Sequence, residues 1–189
     1  RQLTAQTVTR FGLGFAPDTW DSLVRAMKAL GYSEQELFDG GLVRHGRSGG
    51  VYDTFRNRLM FPVIDVRGNV IGFSGRILGD GEPKYMNSPE TIVFSKSHNL
   101  FALNLAKKSK CGYIILAEGN IDVASLHQAG FDSAVASLGT SLTPEQARLL
   151  SRYTSEIVIA YDNDGAGQKA SQRAIGILEK LEVRVRVLQ

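Results

Sequence analysis

The sequence contains one cysteine, three histidines, five prolines and a single tryptophan in 189 residues. With Cys111 as the only cysteine no internal disulfide can form, and a reducing, intracellular setting is expected. The histidines and the cysteine lack the close spacing of a structural zinc site, so none is expected within this chain. No apolar run approaches the roughly 20 residues that a membrane helix needs, and the N-terminus has no signal-peptide pattern. A soluble protein without a membrane partner is therefore expected.

Hydrophobic residues make up 43% of the chain, enough for a buried core, and this content excludes a disordered protein. The net charge of +3 is small, but it is unevenly distributed. Residues 1–110 carry 15 basic and 10 acidic side chains, whereas residues 111–189 carry 7 basic and 9 acidic ones. This asymmetry predicts a basic front half and an acidic back half. The alternative is an ordinary surface with charges of both signs and no functional meaning.

In the front half, helical spacing predicts a helix that ends near Gly31, and Trp20, Phe11 and Phe15 are expected to pack in the core. Ser33 and Glu36 form a capping-box pattern at the start of a second helix. Two β-rich runs over residues 58–78 are joined by a turn at 67–69, which predicts a hairpin. A further helix is expected over residues 100–110.

In the back half, short apolar strands alternate with helices, which predicts β-α-β units and a parallel sheet. The helix after the second strand opens with the capping-box pair Thr143 and Gln146. The last strand alternates polar and apolar residues, as expected at the edge of a sheet. We place a domain boundary near residue 110. The four expected strands are 113–117, 134–137, 157–161 and 183–187.

Carboxylates follow two of these strands directly: Glu118 after the first, and Asp162 and Asp164 after the third. The carboxyl ends of parallel strands lie at one edge of the sheet, so these side chains are expected to converge there. Clustered carboxylates need cations to stay ionised, and oxygen ligands suit Mg²⁺ or Mn²⁺. The alternative is that the aspartates are turn formers that cap the next helix, and that Glu118 merely ends a strand.

These motifs resemble a known fold. Glu118-Gly119 and Asp162-x-Asp164-x-x-Gly167 are similar to the Toprim fold of primases, topoisomerases and some nucleases. Short sequence segments in the front half resemble the RNA polymerase core of bacterial DnaG-type primases, and the segment that starts at Pro83 is the most specific. They lie at residues 10–17, 55–62, 68–76 and 83–91, with a further segment at 134–140.

The resemblance implies an α/β fold: an α+β N-terminal subdomain over residues 1–110, then a Toprim domain with a mainly parallel sheet over residues 111–189. It implies a DNA-directed RNA polymerase, a nucleotidyltransferase that makes short RNA primers with two Mg²⁺ or Mn²⁺ ions. The implied partners are a single-stranded DNA template, ribonucleoside triphosphates and the RNA primer, at the replication fork in the bacterial cytoplasm. The chain itself is expected to be monomeric.

The resemblance also implies roles for individual residues. Glu118, Asp162 and Asp164 would be metal ligands and catalytic, and Asp122 would support them or, equally, stabilise the start of its helix. Lys84 would be catalytic and would bind the triphosphate. Solvated surface cations are the alternative for the basic residues. The nucleotide- and nucleic-acid-binding candidates are Arg10, Arg56, Arg58, Arg76, Lys84, Tyr85, Asn87 and Lys96, with Arg1 as a weaker one.

The chain departs from the family at two positions near the metal loops. Asn120 replaces an aromatic residue after Glu-Gly, and Asn163 replaces a glycine between the aspartates. The chain also lacks the family's N-terminal zinc-ribbon domain and C-terminal helicase-binding domain. It is therefore expected to be a catalytic-core fragment, truncated within the Toprim domain, whose parent binds zinc and the replicative helicase through those domains.

Two other functions stay open: a Toprim nuclease or topoisomerase, which would cleave DNA with the same metals, and a non-catalytic nucleic-acid-binding module. The segment from Lys84 to Thr91 argues against the first alternative. The presence of all three carboxylates argues against the second.

Overall fold

The computed structural model describes residues 2–47, 49–139 and 141–188. The chain forms two compact units, each assembled from separate segments. The parallel-sheet unit comprises residues 1–11, 63–70 and 96–189, and the antiparallel-sheet unit comprises residues 12–62 and 71–95. The domain boundary near residue 110 stays a prediction. Within the described ranges, no helix is both long enough and apolar enough to cross a membrane.

Most of the helices and strands are short. In chain order they are α1 (Ala5–Phe11), β1 (Gly14–Ala16), α2 (Ser22–Ala29), α3 (Glu34–Asp39), β2 (Val43–His45), β3 (Val51–Asp53), β4 (Arg58–Ile64), β5 (Val70–Ile77), β6 (Tyr85–Asn87), β7 (Leu100–Phe101), α4 (Leu103–Ala106), β8 (Ile114–Ala117), α5 (Asn120–Gln128), β9 (Ala134–Ser137), α6 (Pro144–Leu150), β10 (Glu156–Ala160), α7 (Gly165–Leu178), a 3-10 turn at Glu179–Leu181, and β11 (Arg184–Val187).

The antiparallel-sheet unit is built on the strand order β1-β4-β5-β6, with a separate ribbon of β2 and β3. β6 pairs with β5 so that Tyr85 lies opposite Arg76. The helices α2 and α3 and the strand β2 form a small core through Val24, Leu37 and Val43. The predicted capping box is confirmed: the Ser33 hydroxyl accepts from the Glu36 amide, and the Glu36 carboxylate accepts from the Ser33 amide.

The parallel-sheet unit has five strands in the order β11-β10-β8-β9-β7. β8, β9, β10 and β11 are parallel, and β7 adds to β9 in the antiparallel direction. Every residue of β8 and β9 is buried, as expected for strands covered on both faces. The predicted α/β class, the parallel sheet and the edge position of β11 are confirmed. The Thr143 and Gln146 capping box is also present.

Two expectations from hydrophobic spacing are wrong. Residues 100–110 do not form one helix, because buried Leu100 and Phe101 extend the sheet by pairing with β9, and α4 is a single turn. Phe11 is buried and stacks on Phe101 with ring centroids 5.7 Å apart, but Phe15 and Trp20 are exposed. Spacing along a chain identifies apolar side chains, but not whether another element covers them.

Candidate metal centre and nucleic-acid interface

The two acidic motifs lie side by side at one edge of the parallel sheet. β8 and β10 are paired neighbours, with Ala117 opposite Ala160, so the loops that follow them begin at the same level. Glu118 and Asp162 are both exposed in these loops. The Asp162 amide donates a hydrogen bond of 3.1 Å to Glu118 Oε2. The structure therefore brings the first carboxylate against the loop of the second.

Asp164 points to the start of α7. Its Oδ1 accepts hydrogen bonds from the amides of Ala166, at 2.9 Å, and Gly167, at 2.7 Å. These amides have no partner within the helix, and a side-chain acceptor at this position stabilises the helix start. Within the described residues, no three His, Cys, Asp or Glu side chains are grouped closely enough to hold a metal ion. The structure thus does not bring the third carboxylate together with Glu118 and Asp162.

Gly167 fixes the geometry of this loop. A Cβ placed on Gly167 would lie 1.9 Å from the Asp162 carbonyl oxygen and 2.9 Å from its carbonyl carbon. No side chain other than hydrogen fits at that distance, so the helix start can lie against the Asp162 backbone only because residue 167 is glycine. The motif glycine therefore positions Asp162.

Three further polar residues lie in or next to the two loops. Asp122 is half-buried in the first turn of α5. Asn120, one of the two departures from the family pattern, begins α5 and is only 4% exposed. Asn163, the other departure, accepts a hydrogen bond of 3.1 Å from Gln168 Nε2 through its side-chain oxygen. Neither asparagine replaces a carboxylate.

The chemistry of these oxygen donors suits a divalent metal ion, although the three carboxylates are not grouped around one point among the described residues. Glu118 and Asp162 are exposed oxygen donors on adjacent loops, and Asp164 Oδ2 accepts no hydrogen bond from the described residues. Gly167 keeps Asp162 close to the start of α7.

Burial, with a contribution from the Glu118 charge, raises the pKa of the Tyr161 hydroxyl well above its usual range. Tyr161 therefore stays neutral next to these carboxylates.

The candidate cations in the antiparallel-sheet unit differ in exposure. Lys84 is exposed, and its ammonium makes no hydrogen bond or ion pair within the described residues. Arg76 lies over the Tyr85 ring at 5.8 Å, and in the described part of the chain its buried Nε has no partner. Arg58 is buried, and its guanidinium donates to two backbone carbonyls. Its placement is therefore not that of a surface cation.

The remaining candidates are distributed between the two units. Arg10 and Lys96 are exposed residues of the parallel-sheet unit. Tyr85 and Asn87 lie on β6 in the antiparallel-sheet unit. Arg1 lies outside the described residues.

One aromatic site is not evident from hydrophobic spacing: it is formed by Trp20, Arg56 and Tyr52. The Arg56 guanidinium carbon lies 4.0 Å from the centroid of the Trp20 ring and 5.2 Å from that of Tyr52. Trp20 is 65% exposed, which is unusual for the largest apolar side chain. The polar neighbours of Trp20 in the sequence, Asp18 and Asp21, were a signal against burial. We call these three residues the aromatic-arginine stack.

Comparison with known families places both halves of the chain. The model of the N-terminal domain of the DNA primase catalytic core matches residues 1–107, and that of the Toprim domain matches residues 112–189. Toprim domains generally bind divalent metal ions.

Similar proteins agree with these matches. The DNA primase of Clostridium acetobutylicum is 50% identical over 100% of this chain and 32% of its own length. A primase domain from Pseudomonas aeruginosa is 42% identical with a TM-score of 0.90, over 98% of this chain and 60% of that one. A DnaG primase catalytic domain bound to single-stranded DNA is 39% identical with a TM-score of 0.87, over 98% and 60%.

The chain therefore belongs to the bacterial DnaG-type primase family, within which it comprises the N-terminal domain of the catalytic core and Toprim sequence. It spans about a third of the length of the curated relative from Clostridium acetobutylicum.

Proposed function

We propose that this chain is catalytic-core sequence of a primase, a nucleotidyltransferase that copies single-stranded DNA into short RNA primers with divalent metal ions. The observation that carries the proposal is the placement of Glu118 and Asp162 on adjacent loops of a Toprim sheet, joined by a hydrogen bond. One of the similar structures is a DnaG primase catalytic domain bound to single-stranded DNA, which supports a DNA template as the partner.

In the reaction a primer 3′-hydroxyl attacks the α-phosphate of a ribonucleoside triphosphate, and pyrophosphate leaves. Divalent ions would stabilise the charge on the attacking and leaving oxygens. Glu118 and Asp162 would hold them, and Asp122 would support these two ligands. Asp164 would join through Oδ2 once a bound ion draws the three carboxylates together. Gly167 keeps the Asp162 loop in place.

The basic residues would bind the anionic substrates. Arg76 and Lys84 lie on neighbouring paired segments, because the Ile77 amide donates to the Lys84 carbonyl at 3.0 Å. An arginine supplies a planar fork to phosphate, and a lysine supplies a point charge. We assign the triphosphate to Arg76 and Lys84, with Tyr85 and Asn87 beside it. Arg10 and Lys96 would contact the template or primer backbone.

The aromatic-arginine stack suits a single-stranded template. An exposed tryptophan next to an arginine offers a stacking face and a positive charge, the combination that binds unpaired bases without a sequence preference. Arg56 is fixed in this position because its Nη1 donates to the Asp53 carbonyl at 2.7 Å. We assign template contact to Trp20 and Arg56.

We further propose that the parent protein binds a zinc ion through an N-terminal domain and the replicative helicase through a C-terminal domain. The site of action is the replication fork in the bacterial cytoplasm.

Primer synthesis tests the proposal directly. We expect the chain, incubated with single-stranded DNA, ribonucleotides and Mn²⁺ or Mg²⁺, to produce short RNA. The double variant Glu118→Gln with Asp162→Asn should lower the yield by about 100-fold or more, because neutral amides cannot hold the ions. Glu145→Gln is the control, since Glu145 forms a surface ion pair with Arg148 on α6. RNA synthesis by the double variant at the wild-type rate would contradict the site. Cleaved DNA without RNA would favour a Toprim nuclease.

Template binding gives a separate prediction. Trp20→Ala should lower the affinity for labelled oligo-dT about 5- to 150-fold, since stacking of a base on an aromatic ring contributes about 1–3 kcal/mol. Tyr32→Ala, which removes another exposed aromatic residue of the same unit, should leave the affinity unchanged. Fluorescence anisotropy measures both. Equal affinities for the two variants would rule out the stack as the template contact.

A further inference from the structure

Arg58 is a buried arginine that has no acidic partner in the part of the chain that the structure describes. It is 5% exposed, and among the described residues its guanidinium forms no ion pair. Instead, Nη1 donates to the Gly75 carbonyl at 3.1 Å and to the Pro83 carbonyl at 3.0 Å. Burial, together with the nearby charge of Arg56, lowers the pKa of Arg58. A buried charge is costly, and an apolar side chain of similar length would fill the same space without that cost.

The neighbouring strand β5 leaves space for the Arg58 side chain. A Cβ on Gly75 would lie 2.8 Å from Arg58 Cδ and 2.9 Å from Phe55 Cδ1, closer than Cβ atoms come to other atoms. Glycine at position 75 of β5 therefore leaves room for Arg58 to cross the strand and reach Pro83. Arg58 and Gly75, which are 17 residues apart in the sequence, are thus both needed for the contact with Pro83.

The contact fixes the backbone on one side of Lys84. Arg58 donates to the Pro83 carbonyl, which belongs to the peptide bond between Pro83 and Lys84. On the other side, the Ile77 amide holds the Lys84 carbonyl at 3.0 Å. Pro83 has no N–H, so its carbonyl is the backbone polar group through which this residue can be anchored. Lys84 is exposed between these two fixed points.

We infer that Arg58 is a positioning residue: it contacts no substrate, but holds the Pro83 carbonyl so that the Lys84 ammonium is presented to the triphosphate. The inference rests on the proposed role of Lys84. A guanidinium suits this task because one planar group can reach two carbonyls on different segments. A lysine at position 58 would keep the charge but would not reproduce the planar Nη1 group that donates both hydrogen bonds.

A double-mutant cycle tests the inference. The affinity of the chain for fluorescently labelled GTP with Mg²⁺ is measured for the wild type, Lys84→Gln, Arg58→Met and the double variant. We expect each single change to weaken binding about 10-fold or more. The double variant should bind no more weakly than Lys84→Gln alone, because Arg58 acts through Lys84. Arg58→Lys should fall between the wild type and Arg58→Met.

Binding of labelled oligo-dT separates positioning from general loss of structure. Arg58→Met should keep its affinity for oligo-dT within about two-fold, whereas unfolding of the antiparallel-sheet unit would also remove the stack. If Arg58→Met does not fold, the cycle is measured with Arg58→Lys. Losses that multiply in the double variant, or an unchanged GTP affinity in the Arg58 variants, would overturn the inference and leave the proposed function intact. An unchanged affinity in Lys84→Gln would overturn the Lys84 assignment and the inference together.

Discussion

Replacing Gly167 with alanine should nearly abolish primer synthesis and destabilise the parallel-sheet unit. The added Cβ would lie 1.9 Å from the Asp162 carbonyl oxygen, a backbone atom that cannot rotate away as a side chain can. Either α7 or the Asp162 loop must move, at a cost of about 3 kcal/mol or more. A shift of Asp162 by about 1 Å should lower the rate about 100-fold.

Gly176→Ala is the matched control, because it lies on the same helix and, apart from its chain neighbours and the backbone of its own helix, the added Cβ would meet no described heavy atom within 4 Å. It should keep full activity and stabilise the chain by about 0.5–1 kcal/mol, since alanine favours a helix interior over glycine. Thermal unfolding and primer synthesis are measured for both variants. Equal activity and stability of the two variants would show that the Asp162 loop does not depend on Gly167.

Asp53→Ala should cost about 2–4 kcal/mol of unfolding free energy. Asp53 is 2% exposed, and its carboxylate accepts from the amides of Leu23, at 2.8 Å, and Val24, at 3.0 Å, in the first turn of α2. It also accepts from the Ser22 hydroxyl at 3.2 Å. Without the carboxylate, the amides at this helix start lose their acceptor.

Asp21→Ala provides the comparison for Asp53. Asp21 occupies the N-cap position of α2, but its side chain makes no cap hydrogen bond and instead forms an exposed ion pair with Arg25 at 3.2 Å. Its removal should change the unfolding free energy by about 0.5 kcal/mol or less. Urea unfolding followed by circular dichroism measures both variants. A larger loss for Asp21→Ala than for Asp53→Ala would contradict this assignment of the cap.

The sequence predicts features that depend on near neighbours. The capping boxes at Ser33 and Thr143 need only residues three positions apart, and both are present. The parallel sheet follows from apolar strands that alternate with helices. Asp53 shows the limit of this reasoning, because it caps a helix about thirty residues earlier in the chain. Spacing within α2 contains no information about that partner.

The candidate site was predictable to the same extent. The position of Glu118 beside Asp162 follows from parallel strands, whose loops emerge at one edge of the sheet. The orientation of Asp164 does not follow from it, because the same side chain can bind a metal or cap α7, and here Oδ1 caps the helix. The burial of Arg58 was likewise hidden, since its acceptors are backbone carbonyls and not side chains.

The central claim is that the loops after β8 and β10 bind the divalent ions of a nucleotidyl transfer. Equilibrium binding of Mn²⁺, measured by the loss of the electron paramagnetic resonance signal of the free ion, tests it most directly. We predict that the wild-type chain binds Mn²⁺ and that Glu118→Gln with Asp162→Asn lowers the affinity about 10- to 100-fold or more. Equal Mn²⁺ affinity in the two proteins, or no binding by the wild type, would contradict the claim.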